Sequence, residues 1–106
     1  MITRLEKLLE MERQKPDDAF IKFAVAQEYV GMDNDAGALK YFNVLLRDFA
    51  QYLPAYYQLG KLYERMNHLA VAANVYKNGI IVAKAVNDLK TAGELNEALM
   101  LVEDEG

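Results

Sequence analysis

Apolar residues return every three or four positions along most of the chain, the spacing of a helix that buries one face. Ala38, Phe42, Leu45, Leu46 and Phe49 form one such stripe, and Leu69, Ala72, Ala73, Tyr76, Ile80 and Ala83 form another. The stretch from Ala19 to Val30 sets Phe20, Phe23, Ala24 and Gln27 on one face and Ile21, Val25 and Tyr29 on a second. From Pro54 onward, Ala55, Tyr56, Leu59, Gly60, Leu62, Tyr63 and Met66 give a broad apolar side. Two shorter patterns flank these four: Leu5, Leu8 and Leu9 before Pro16, and Leu95, Ala98, Leu99 and Val102 near the end. Helices are therefore expected throughout.

The residues between the stripes are helix starts and stops. Thr3-Arg4-Leu5-Glu6 and Thr91-Ala92-Gly93-Glu94 both have capping-box spacing, in which the first side chain and the fourth satisfy each other's free amides. Pro16-Asp17-Asp18 ends one helix and offers an aspartate cap to the next. Pro54 suits a first helical turn, where its missing N–H would have had no partner. Gly31 to Asn34 and Met66-Asn67-His68 read as turns, with Asn67 in a left-handed conformation that asparagine tolerates. The polar tail from Glu103 to Gly106 is expected to fray.

The pattern repeats at a shift of 34 residues: Val25 falls on Leu59, Ala26 on Gly60, Tyr29 on Tyr63, Asp33 on Asn67, Ala38 on Ala72, and Phe42 on Tyr76. Small residues meet small ones, aromatics meet aromatics, and turn formers meet turn formers. The expected organisation is one domain over 1–106, with a flanking helix at 2–15, repeats at 19–52 and 53–86, and a capping helix at 91–104. In the same phase, the first helix fills the second slot of a truncated repeat, and the last fills the first slot of a third. About three helix pairs are what such a stack needs to bury its faces. A closed helical bundle with a coincidental period is the other reading.

Tyr56-x-x-Leu59-Gly60-x-x-Tyr63, followed by Ala72 and Tyr76, resembles the tetratricopeptide repeat. The first copy departs from that pattern: Lys22 stands at the early aromatic position, and Val25-Ala26 replaces leucine-glycine, while Tyr29, Ala38 and Phe42 hold. Pro16 stands at the closing-proline position of the truncated repeat, but Ala50 and Lys84 occupy it in the two complete copies. The missing proline at Lys84 predicts a helix running on towards Val86 and an irregular junction after it. The resemblance implies an all-α solenoid of antiparallel helix pairs, about six helices in a right-handed superhelix. Small residues at Ala26, Ala38, Gly60, Ala72 and Gly79 would mark close helix crossings, since a helical glycine costs roughly 1 kcal/mol relative to alanine.

Composition narrows the chemistry. With 106 residues, 53% of them hydrophobic and 26% charged, the chain is globular and has room for one core. There is no cysteine, no run of apolar residues long enough for a signal peptide or membrane span, and a net charge of −4 without a basic cluster. The expectation is a cytoplasmic chain that binds neither nucleic acid nor membrane. Its single histidine, His68, lies in a turn, and serine is absent. The carboxylate pairs Asp17-Asp18 and Asp33 with Asp35 stand at helix starts, where the dipole favours negative charge. No catalytic residue, cofactor site or metal site is expected, and the chain is not read as an enzyme.

The resemblance also implies a binding surface, because the first helix of each tetratricopeptide pair lines the concave face where peptides dock. By phase this face takes Phe20, Phe23, Gln27 and Val30 from the first copy and Tyr57, Lys61, Glu64 and Arg65 from the second. The family's acidic-peptide binders use a lysine and an asparagine one turn apart here. This chain has Phe23 with Gln27 and Tyr57 with Lys61, so a carboxylate clamp is not expected. Phe20 and Phe23 are either open to a ligand or buried in the chain itself. The implied function is a protein–protein interaction module for a peptide or partner helix, apolar with a basic or mixed flank. The alternative is homo-oligomerisation with no foreign ligand, through an end helix or an apolar face involving Val71, Val75, Val82, Met100 and Leu101. The three valines are otherwise covered by the last helix.

Overall fold

A computed structural model describes residues 1–105, and these form six α-helices: α1 (Arg4–Gln14), α2 (Ala19–Gly31), α3 (Asp35–Asp48), α4 (Pro54–Arg65), α5 (Leu69–Ala85) and α6 (Leu89–Glu105). They divide into two compact units, one ending at Phe49 and the other starting at Ala50. In the first, α2 packs against both α1 and α3; in the second, α5 packs against both α4 and α6. None of the helices described is long and apolar enough to cross a membrane.

The 34-residue period is a period of burial. Val25 and Leu59, Ala26 and Gly60, Ala38 and Ala72, and Phe42 and Tyr76 are all buried in their own units. Gly60 and Gly79 lie where helices touch: a Cβ on Gly60 would meet the Tyr76 ring, and one on Gly79 would meet Tyr56 and Leu95. Gly37, which the sequence did not single out, faces the Tyr29 ring in the same way.

Three links share one geometry. Asp33, Asn67 and Asn87 have φ of 56°, 62° and 61°, the left-handed conformation that asparagine and aspartate tolerate. After each, the next amide reaches back to a carbonyl five residues earlier: Asn34 to Tyr29, His68 to Tyr63, and Asp88 to Ala83. The left-handed residue's own amide bonds back as well, to Val30, Glu64 and Lys84 respectively, which completes a Schellman stop. The following residue is already the N-cap of the next helix, so the chain reverses within two residues.

This geometry corrects four expectations. The junction after α5 is regular, because Asn87 supplies the left-handed residue and no proline is needed. Helix α6 starts at Leu89, ahead of the expected 91, and Thr91 is not its cap. Asp88 fills that role, accepting from the Thr91 amide at 3.0 Å and the Thr91 hydroxyl at 2.8 Å. At α3 the cap is Asn34, accepting from the Gly37 amide at 2.9 Å, while Asp33 makes the turn and Asp35 lies in the first helical turn. The polar tail is helical through Glu105. The capping box at Thr3 and Glu6, the Asp18 cap on α2 and Pro54 in the first turn of α4 stand as expected.

Lys22 has its own use. Its Nζ lies 2.8 Å from Glu12 Oε2, and the Tyr41 hydroxyl donates to Glu12 Oε1 at 2.7 Å. At the matching position of the second copy, the Tyr56 hydroxyl donates to the Ala50 carbonyl at 2.7 Å, tying down the backbone where a closing proline would stand.

Candidate functional site

Within the second unit, α4 and α6 both lean on α5, and a groove opens between them. Its wider part, about 450 Å³, has Tyr52, Pro54 and Tyr57 on one wall and Asp88, Thr91 and Glu94 on the other, with Leu95 below. Past Tyr57 and Glu94 it continues into a recess of about 400 Å³ bordered by Lys61, Glu97, Ala98 and Leu101. Tyr57 and Glu94 border both parts, so the two make one channel.

The α4 wall is held rigidly. The Tyr57 ring centroid lies 6.4 Å from that of the buried Tyr76, and Lys61 Nζ lies 5.3 Å from the Tyr57 centroid. Glu64 accepts from the Tyr76 hydroxyl and sits 3.6 Å from Lys61 Nζ. Of the four α4 candidates, Tyr57 and Lys61 therefore reach the groove, Glu64 braces them from behind, and Arg65 is exposed outside the groove lining. The α6 wall is acidic. Asp88 keeps its carboxyl below the usual carboxylate range, mainly because the Thr91 amide donates to it and then because the Thr91 hydroxyl does.

In the first unit, Phe20, Phe23, Gln27 and Val30 share one face of α2, as their spacing requires. Phe20 is 66% exposed and thus open to solvent. Phe23 is half-buried, its ring edge-on to Phe42 at 6.2 Å, and Gln27 and Val30 are half-buried beside it. The two sets of candidates belong to different units.

The groove residues of α6 lie outside the set that the repeat pattern implied. In sequence the last helix reads as a cap, although the 34-residue step that carries Phe23 to Tyr57 carries Tyr57 to Thr91, which lines the groove. The phase was the available signal. Of the valines, Val75 is buried and Val82 half-buried, while Val71 is exposed.

Three tyrosines titrate late. Burial raises the Tyr41, Tyr56 and Tyr76 hydroxyls above the ordinary value of about 10, with hydrogen bonds to Glu12 and Glu64 adding to the effect at Tyr41 and Tyr76. A raised folded-state value means that the fold favours the protonated ring. That contribution is complete below about pH 10 and disappears as pH rises through the raised values. In an alkaline titration, the last part of the tyrosinate absorbance should appear together with the loss of helical circular dichroism. A smooth single titration of all seven tyrosines before unfolding would contradict it.

No family model matches the chain, and no curated protein does. A tetratricopeptide repeat domain protein from Salinibacter ruber, solved in solution, is 38% identical, with a TM-score of 0.81 over 85% of this chain and 91% of that one. A crystal structure of a tetratricopeptide repeat domain protein from the same organism is also 38% identical, with a TM-score of 0.76 over 83% of this chain and 98% of that one. A Bordetella parapertussis protein solved in solution has a TM-score of 0.83 over 99% of this chain and 91% of that one, at 24% identity, which bears on the fold alone. Between a helical repeat and a closed bundle with a coincidental period, these matches decide for the repeat.

Proposed function

Because the chain belongs to the tetratricopeptide repeat family, we propose that it is a non-catalytic protein–protein interaction module that holds a peptide or partner helix on the face formed by the first helix of each pair. The observation that carries this reading is the open groove between α4 and α6, lined by side chains of both helices. Such a groove can bury apolar side chains of a ligand while its polar rim fixes orientation. Phe20, Phe23, Gln27 and Val30 of α2 would serve as the corresponding face of the first unit. In the second unit, Tyr57 and Lys61 act together with Thr91 and Glu94. Glu64 supports this surface from behind, through Tyr76 and Lys61, and does not itself meet the ligand.

The test is comparative capture. The wild-type chain should retain a specific protein that the Phe23→Ala, Tyr57→Ala double variant does not, at equal helicity. Equal retention by both would dispose of the proposed face.

A second reading, self-association, is favoured by the outer side of α1. There Ile2, Leu9 and Met11, with Ile2 and Met11 exposed, share a recess of about 630 Å³ with the charged side chains of Glu6, Lys7, Glu10 and Arg13. Light scattering across a concentration range separates the two readings, since only self-association raises the mass without an added partner.

A further inference from the structure

The two walls of the α4–α6 groove differ in charge, and the difference says which ligand fits. Lys61 is the one cation among the groove-lining residues, and it is already engaged by Glu64 and by the face of Tyr57. Glu94 and Glu97 border the same recess as Lys61, and Asp88 and Glu94 border the wider part. Asp88 is satisfied locally by Thr91. Glu94 and Glu97, both exposed, make no ion pair or hydrogen bond among the described residues. The apolar lining on α6 is Leu95, buried at the base, Ala98, and Leu101, 59% exposed at the far end. The groove thus offers unpaired negative charge beside an uncovered apolar surface.

From this charge complementarity we infer that the groove's occupant is an extended peptide carrying two lysines or arginines two positions apart, followed two positions later by an aliphatic residue. The inference rests on the docking function proposed above and adds the chemistry of the ligand. The spacing follows from geometry. Glu94 and Glu97 stand three apart on one helix, so they are neighbours about 5–6 Å apart at Cβ. In an extended chain, side chains on one side recur every second residue, about 7 Å apart. Two basic side chains on one side of the peptide therefore match the two carboxylates. The next residue on that side falls against Leu101 and Ala98. An acidic peptide would meet the same carboxylates with like charge, and Lys61 is too engaged to offset them. A wholly apolar peptide would leave both carboxylates facing it unpaired.

The probe is an acetylated, amidated heptapeptide of glycine and alanine with lysines at its second and fourth positions and leucine at its sixth. It is titrated into the isotopically labelled full chain and followed by amide chemical shifts. Shifts should concentrate on residues of α4 and α6 that border the groove, and the affinity should fall as salt is raised, because exposed ion pairs are screened. The same peptide with glutamates replacing the lysines should bind at least tenfold more weakly. The Glu94→Lys, Glu97→Lys double variant should reverse this preference, and its circular dichroism should match the wild type because both side chains are exposed.

Equal binding of the two peptides in the groove would overturn the charge inference while leaving the docking function standing. No shift in the groove with either peptide would likewise overturn the charge inference, and the docking function is then decided by the capture test above. Reversed preference in the double variant supports the inference directly, and an unchanged preference refutes it.

Discussion

Replacing Gly60 with alanine should destabilise the protein by about 2 kcal/mol, although the same change in an open helix stabilises it. A Cβ at Gly60 would stand 2.1 Å from Tyr76 Cε1 and 2.5 Å from Cζ, well inside contact distance. Those atoms belong to the hydroxyl end of a fully buried ring, and that hydroxyl is held by Glu64, so the ring cannot swing aside without breaking the bond. The Tyr57 ring packs at a tilt against the same ring, so movement there also disturbs the groove wall. Overpacking of this kind costs typically 1–3 kcal/mol or somewhat more, while alanine's better helix propensity returns only about 1 kcal/mol. Gly93 is the internal control. It lies in α6 with nothing within 4 Å of the place a Cβ would take, so Gly93→Ala should gain up to about 1 kcal/mol. Denaturant unfolding of both variants checks the pair. If Gly60→Ala is neutral or stabilising, the close crossing of α4 and α5 at Tyr76 is wrong. Shortening the ring with Tyr76→Leu should restore part of the loss in the Gly60→Ala background, though at the expense of the Glu64 bond.

The same contrast shows what the sequence made legible. Gly60 and Gly79 stand among apolar residues at helical spacing, where a glycine weakens the helix unless something packs against it, so close crossings could be expected there. Gly37 gives no such signal because it sits near a helix start, where glycine is unremarkable, and only the fold brings Tyr29 over it. The links followed a similar division. Asn67 announced itself by residue type and Asp33 by falling on it in the 34-residue phase, but only the backbone shows that Asn34 is the residue that caps α3. At the last junction the capping-box spacing points to Thr91 as the cap, and the structure gives that role to Asp88. The aspartate won because the left-handed Asn87 directly before it leaves it at the first position able to cap α6. That Tyr57 and Lys61 line one groove followed from phase, whereas Glu64 is spent on Tyr76, a partner twelve residues away across a helix crossing. The α6 part was hidden because exposed glutamates on a final helix look like solvated surface until a facing helix turns them into a wall.

Removing the Glu12 carboxylate should produce the second large effect, confined to the first unit. Lys22 replaces an aromatic of the repeat pattern, and its side chain is 14% exposed against a Glu12 side chain that is 17% exposed. Glu12→Ala takes from the half-buried Lys22 ammonium the carboxylate it is bonded to, leaving only the weaker attraction of Asp48, and strips the Tyr41 hydroxyl of its acceptor. Breaking a fully buried pair costs roughly 3–5 kcal/mol, and the residual exposure here brings the expected loss to about 2 kcal/mol. Replacing both partners with apolar residues, Glu12→Leu with Lys22→Met, should cost much less, since no charge is then stranded. The penalty must also depend on pH. Burial works against ionised Glu12, but the hydrogen bonds from Lys22 and Tyr41 and the charge of Lys22 outweigh it, so its carboxyl titrates below the reference value of 4.5. A depressed folded-state value means that the contribution is complete above about pH 4.5 and is lost as pH falls through the lower value. The gap in stability between wild type and Glu12→Gln should therefore be widest near neutrality and narrow under acid conditions. Denaturant midpoints measured across that range test it, and a gap that stays constant or widens in acid would show that Glu12 is not the ionised centre of this network. Lys22→Tyr, which restores the repeat's aromatic, should not recover wild-type stability, because Glu12 and Tyr41 are arranged to receive an ammonium.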